Sequence, residues 1–145
     1  MQWTDEGFLL SKNKYGENSI IIEVFTENHG KCSGIVYGGT SRKIKNYLQL
    51  GNKIHVHLKI KNDNKIGYFK TEIIDAISPF FFDNNKKLNC LFSSLNLLKT
   101  VLPELLSYKS VYILFSDFLN QLKFSNNWIV HYIFWEMSLL KEIGF

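Results

Sequence analysis

The sequence predicts an α+β chain, with a five-stranded β-barrel of OB type at the N-terminus and an α-helical bundle after it. Three observations carry this expectation. Short β-branched and aromatic runs recur five times between glycine and asparagine turns over residues 1–79. A longer gap at 40–50, rich in cations, separates the third run from the fourth. Near Pro79 the apolar period switches from strand-like to helical.

The five runs fall at about 5–13, 18–27, 31–38, 52–62 and 66–77. The second, Ser19-Ile20-Ile21-Ile22-Glu23-Val24-Phe25, is nearly all apolar, the pattern of a strand buried on both faces or at a barrel corner. The turns between runs are Tyr15-Gly16, Asn28-His29-Gly30, Gly38-Gly39, Gly51-Asn52 and Asn62-Asp63-Asn64, residues that tolerate positive φ or bond to their own backbone. Five strands this short need closure to hide their edges, and an OB-type barrel supplies it; an SH3-like barrel is the alternative. The 40–50 gap is where an OB fold carries its connecting helix or loop.

Beyond Pro79, Leu88, Leu91, Phe92, Leu95, Leu98 and Leu102 form one helical stripe that Pro103 ends. Val111, Leu114, Phe115, Phe118, Leu119 and Leu122 form a second. A third helix starts at a cap on Ser125 or Asn126 and runs to Gly144. Trp128, Ile129, Tyr132, Ile133, Phe134, Trp135, Leu139, Leu140 and Ile143 cover most of its circumference, which predicts a central position against several neighbours. Two partner helices give such a helix little cover, so either it packs on the barrel or further helices belong to the bundle.

Composition narrows the function. The 145 residues are 46% apolar and 15% aromatic, enough for one substantial core or two small ones, and disorder is excluded. A net charge of +4 favours polyanionic partners, and it is unevenly spread: residues 1–78 hold eleven Lys/Arg against eight Asp/Glu, residues 79–145 six against five. Cys32 and Cys90 stand outside any metal-binding or disulfide spacing and read as free thiols in a reducing compartment. With no leader pattern and no run of about 18 apolar residues, the expectation is a soluble cytoplasmic protein.

The most informative stretch is Gly34-Ile35-Val36-Tyr37-Gly38-Gly39-Thr40-Ser41-Arg42-Lys43-Ile44-Lys45. A strand enters two glycines whose backbone can approach a phosphate, hydroxyls follow at Thr40 and Ser41, and Arg42, Lys43 and Lys45 supply charge. A solvated turn with surface cations is the bland alternative. No GxxxxGK[ST] spacing is present, so nucleotide hydrolysis is not supported.

Further cations interleave with rings. Lys12 and Lys14 lead into Tyr15, while Lys59, Lys61, Lys65 and Lys70 flank Tyr68 and Phe69. Such mixtures suit single strands, where cations track the backbone and rings stack on unpaired bases. Tyr37 and Tyr68 are the candidate stacking rings, against the commoner fate of strand aromatics, which is core. His55 and His57 share one strand face but lack a third ligand of recognisable spacing, so no metal is expected. His29 and His131 read as structural, and Glu136 as a charge at a helix edge. Lys99 and Lys109 lie near apolar helical faces and could frame a groove for an acidic peptide ending in hydrophobic residues. No nucleophile and base can be paired from the sequence, and neither an enzyme nor a cofactor is expected.

The order of several features resembles the RecO family of bacterial recombination mediators. They are Trp3-x-Asp5-Glu6-Gly7-Phe8-x-Leu10, Tyr15-Gly16-Glu17-Asn18, Gly38-Gly39-x-Ser41-Arg42, Leu48-Gln49-Leu50-Gly51-Asn52 and Glu136-x-x-Leu139-Leu140-x-Glu142-Ile143-Gly144-Phe145. The resemblance implies an OB-fold nucleic-acid-binding domain over 1–79 and a helical domain over 80–145. It implies binding of single- and double-stranded DNA, strand annealing, and assistance to RecA loading on coated single strands, in the bacterial cytoplasm and at the nucleoid during repair. It also implies two protein partners, RecR and the acidic C-terminal tail of the single-stranded DNA-binding protein. On this likeness Arg42, Lys43 and Lys45 contact DNA backbone, with Lys12 and Lys14 beside them. Family members continue past the closing segment with further helices or a cysteine zinc module, so a chain ending at Phe145 reads as a truncated or reduced member. From the residues alone, a protein-interaction adapter with an OB- or SH3-like barrel is the alternative, and a small metal enzyme built on His55 and His57 ranks last.

Overall fold

The structure is a computed structural model that describes residues 1–62 and 65–144. Asp63 and Asn64 of one expected turn, and the Phe145 that closes the family-like segment, lie outside the described residues.

The five strands are β1 (Gln2–Tyr15), β2 (Ser19–Thr26), β3 (Gly30–Tyr37), β4 (Lys53–Lys59) and β5 (Gly67–Asp75), and they close into a barrel in the order β1-β2-β3-β5-β4. All neighbours are antiparallel except β3 and β5, which run parallel and bond only at Gly34–Gly67 and Ile35–Tyr68. A short helix, α1 (Arg42–Tyr47), fills the connection from β3 to β4, so the topology is that of an OB fold.

β1 starts three residues earlier than the alternation predicts. Its first half pairs with β4, from Gln2 opposite Lys59 to Phe8 opposite Lys53, and its second half pairs with β2 out to Tyr15 opposite Ser19. The register slips between Leu9 and Ser11, where one strand leaves one neighbour for the other.

Alternation along the strands sorts side chains into two cores. Inside the barrel, Leu9, Ile20, Ile22, Val24, Val36, Ile54, Val56, Leu58 and Phe69 are buried together. Phe8, Leu10 and Phe25 point outward and are equally buried, because the helices cover that face of β1 and β2. This is why the β2 sequence is apolar on both faces.

A 3₁₀ turn, Ser78–Phe81, with Pro79 in its first turn, makes the crossing to the helices α2 (Asn85–Val101), α3 (Lys109–Phe124) and α4 (Trp128–Glu142). Asn52 organises the crossing: its buried side-chain oxygen accepts from the Ile77 and Ser78 amides at 2.9 and 3.1 Å, and its Nδ2 donates to the Tyr47 carbonyl at 3.0 Å. α2 opens on Asn84, whose side chain accepts from the Lys87 amide, and ends before Pro103 as its sequence predicts. Leu91, Leu95 and Leu98 are its buried stripe, while Phe92 sits at the edge of that face and is exposed. All of the expected α3 stripe is buried except Leu114, which is partly covered.

α4 departs most from expectation. Of its apolar residues only Trp135 and Leu139 are buried, and Ile129, Ile133, Phe134 and Leu140 face outward with Val130 and Met137. The helix lies at the edge of the layer, packed on α3, because α2 and the barrel have already used each other's apolar faces. Its start also differs: Asn127 is the N-cap and makes no side-chain cap bond, while Ser125 accepts from the Asn127 amide instead. Gly144, at φ +92°, follows the helix in the left-handed conformation expected of a stop. Among the described residues no helix is long and apolar enough to cross a membrane.

Candidate nucleic-acid interface

The turn after β3 is shaped by its glycines. Gly38 takes φ +69°, open to glycine at little cost, and a Cβ on Gly39 would lie 2.4 Å from Ile20 Cγ1. The Gly39 amide donates to the Val36 carbonyl at 3.3 Å, Thr40 Oγ1 donates to the Glu17 carbonyl at 3.4 Å, and Ser41 Oγ caps α1 by accepting from the Ile44 amide at 3.3 Å. These bonds hold the lip beside the cations Lys12, Lys14, Arg42, Lys43 and Lys45.

Three of those cations meet. Lys12, Lys14 and Lys45 line one concavity of about 360 Å³ together with Gly39, Thr40 and Leu48, and among the described residues Glu17 is the one carboxylate on its wall. Lys12 and Lys14 are two apart on β1 and therefore point the same way, while Lys45 reaches them from α1. Lys12 Nζ donates to the Leu48 carbonyl at 2.7 Å. Burial, and then the neighbouring charge of Lys45, hold its ammonium below the usual lysine range. Arg42 stands one turn before Lys45 on the exposed side of α1, and Lys43 is exposed beside it. Among the described residues, side-chain ion pairs involve His29, Lys53, Lys99 and Lys123, and none of these five cations.

The other side of α1 borders a larger cleft, of about 640 Å³. Ile44 and Tyr47 form its edge, and the Tyr47 hydroxyl donates to the Thr71 carbonyl at 2.9 Å, bridging the place where β3 and β5 part. At its mouth Tyr37 and Tyr68 stack, with centroids 4.8 Å apart and planes 16° from parallel, and Lys61 Nζ lies 5.8 Å from the Tyr68 ring. A hydrogen bond with Tyr68 pushes the Tyr37 phenol above its usual range. His55, His57, Lys59 and Lys70 line the floor with Glu72, and His57 Nε2 lies 3.0 Å from Gln2 Oε1. Among the described residues no group of three His, Cys, Asp or Glu side chains is set to hold a metal.

The remaining expected residues are dispersed. Lys99 faces the barrel, 3.9 Å from Glu23, and its carbonyl accepts from Lys31 Nζ at 2.7 Å; Lys109 opens α3 and is exposed. Cys32 is buried and Cys90 partly so, both free, and burial pushes their thiols up to about 11 and about 12. His29 is structural in a way the sequence does not reveal. Its Nδ1 lies 2.7 Å from Asp5 Oδ2 and its ring stacks flat on Trp3 at 3.8 Å. Asp5 also accepts from the Glu6 and Asn28 amides; burial alone would raise its carboxyl, but these bonds and the His29 contact hold it below the usual range. Sequence reasoning also misses that Lys12 and Lys14 converge on Lys45, since only the strand register brings them there; their i, i+2 spacing is the one local signal.

Comparison with known proteins agrees with this architecture. The family model described as Recombination protein O N terminal matches residues 1–77. Curated relatives named DNA repair protein RecO include those of Wolbachia pipientis subsp. Culex pipiens, 33% identical, Ruegeria sp., 34%, and Cereibacter sphaeroides, 36%. Each alignment takes in 100% of this chain and 60% of the relative, so the chain spans about three fifths of the length of these proteins. A barrel of OB topology, the family match over more than half the chain and similarity along its whole length together establish that the chain belongs to the RecO family.

Proposed function

We propose that this chain serves DNA repair and recombination as a non-catalytic mediator whose barrel holds DNA chiefly by phosphate charge. The supporting observation is the convergence of Lys12, Lys14 and Lys45 on one concavity whose wall carries, among the described residues, a single carboxylate. Three lysines around one concavity raise the local positive potential, which a DNA backbone can neutralise with release of counterions. Arg42 and Lys43 extend the cationic rim along α1, and the Tyr37–Tyr68 stack offers an apolar surface to unpaired bases. Phosphate contacts of this kind carry little sequence preference. Strand annealing follows when cations screen the repulsion between two strands held close together. The mediator role extends to RecA loading on coated strands, with RecR and the coating protein's acidic tail as partners, the latter met by the helical layer with Lys99 and Lys109 as candidate contacts.

Filter binding of single-stranded and double-stranded oligonucleotides at two salt concentrations tests the DNA reading. Lys12→Ala/Lys14→Ala/Lys45→Ala is expected to weaken retention and to flatten the dependence of log affinity on log salt by up to about 2, at about 0.7 for each single-strand phosphate no longer neutralised. An unchanged slope overturns the assignment of the concavity, and absence of saturable binding by the unaltered chain favours a protein-interaction adapter.

A further inference from the structure

The two hollows flanking α1 differ in chemistry. Lys45 and Leu48 belong to the cationic concavity, Ile44 and Tyr47 to the larger cleft, so α1 stands as a ridge between them. The concavity offers ammonium groups and one small apolar wall. The cleft offers stacked rings at its mouth and a polar floor of His55, His57, Lys59 and Lys70, with Gln2 and Thr71 also in its lining.

We infer that the larger cleft is a second nucleic-acid site, which takes one single strand by its bases while the concavity across α1 holds another by its phosphates. The inference rests on the DNA-binding reading above. Tyr37 is 64% exposed although its ring is already stacked on one face, so the pair presents a free aromatic surface in water, held rigid by Tyr68. A base laid on it gains stacking that any base can supply. Lys61 beside Tyr68, with Lys59 and Lys70 in the lining, supplies positive charge for the backbone of a strand stacked there, and the polar lining can hydrogen-bond base edges that a duplex would hide. Among the described lining residues Glu72 is the one carboxylate, and it sets the end at which a phosphate is least welcome. Two unlike sites on one barrel give annealing a physical form: one strand displays its bases while its neighbour is fixed by its backbone.

Short probes separate the two sites. The full chain is titrated with hexathymidylate and with an abasic hexamer of the same sugar-phosphate chain. Expected are two thymidylate strands and one abasic strand bound per chain. Tyr37→Ala/Tyr68→Ala reduces thymidylate to one strand per chain and leaves abasic binding as it was, while Tyr37→Phe/Tyr68→Phe keeps two. Lys12→Ala/Lys14→Ala/Lys45→Ala removes the abasic strand and leaves one thymidylate. A single thymidylate per unaltered chain, or two on the tyrosine-to-alanine variant, overturns the second site while the lysine reading stands. Unchanged binding of both probes by the lysine variant overturns the concavity alone, and no binding of either probe by the unaltered chain overturns both.

Discussion

The barrel and the helical layer handle their apolar surface in opposite ways. The barrel turns one face of each strand into its own interior and lends the outer face of β1 and β2, through Phe8, Leu10 and Phe25, to the helices. The helical layer packs its own side chains around that contribution: Leu91, Leu98, Phe115, Phe118, Trp135 and Leu139 cluster with Phe8, Leu10 and Phe25, and α4 is left with Ile129, Ile133 and Phe134 in solvent. Folding of the helices should therefore depend on the barrel, and the outer face of α4 should matter little to either.

The strongest way to break this contrast is at the shared core. Phe25, fully buried, belongs to β2 but lies among helical residues, its ring 5.5 Å from Tyr112. Phe25→Ala should cost about 3–5 kcal/mol. In urea, tryptophan fluorescence, which samples Trp3 in the barrel and Trp128 and Trp135 in the helices, should change together with helical circular dichroism in one transition; two separate steps would show that the layers fold independently.

A middle-sized effect belongs to the barrel alone. Asp5→Asn removes the charge that accepts from His29 and the Asn28 amide, at a cost of about 1.5–3 kcal/mol for charge-assisted bonds. Because the folded carboxyl lies below its ordinary value of 3.8, its contribution is complete above that value and is lost as pH falls through the lower, folded one. The stability gap between the native chain and the variant, measured by denaturant melts, should thus close as pH falls below 3.8.

The smallest effect is expected on α4. Phe134 is 62% exposed, so Phe134→Ser should change stability by less than about 0.5 kcal/mol in a thermal melt. A loss comparable to that at Phe25 would mean that this face is covered in solution.

The same contrast explains what could be read from sequence. Strand spacing, the turn glycines and the change of period at Pro79 are local signals, and they place the OB barrel and the three helices within a few residues. The reach of β1 back to Gln2 is not local, since it depends on β4, about fifty residues away in sequence, supplying partners for Trp3 and Thr4. The position of α4 is also decided elsewhere: an all-round apolar pattern says that the helix wants cover, and nothing in the pattern says whether its neighbours have any left. In the site, Arg42, Lys43 and Lys45 are legible as a run, but the two hollows that α1 separates are not. Helical geometry sends Lys45 to one hollow and Ile44 to the other.

Asn52 gives these pieces a common anchor. One amide side chain grips the end of α1 at the Tyr47 carbonyl and the start of the helical crossing at Ile77 and Ser78. It acts as a rivet through three segments, so the ridge between the two hollows cannot tilt without pulling on the hinge from which the helices hang. A partner that presses on the helical layer would therefore have a mechanical route to the walls of both hollows.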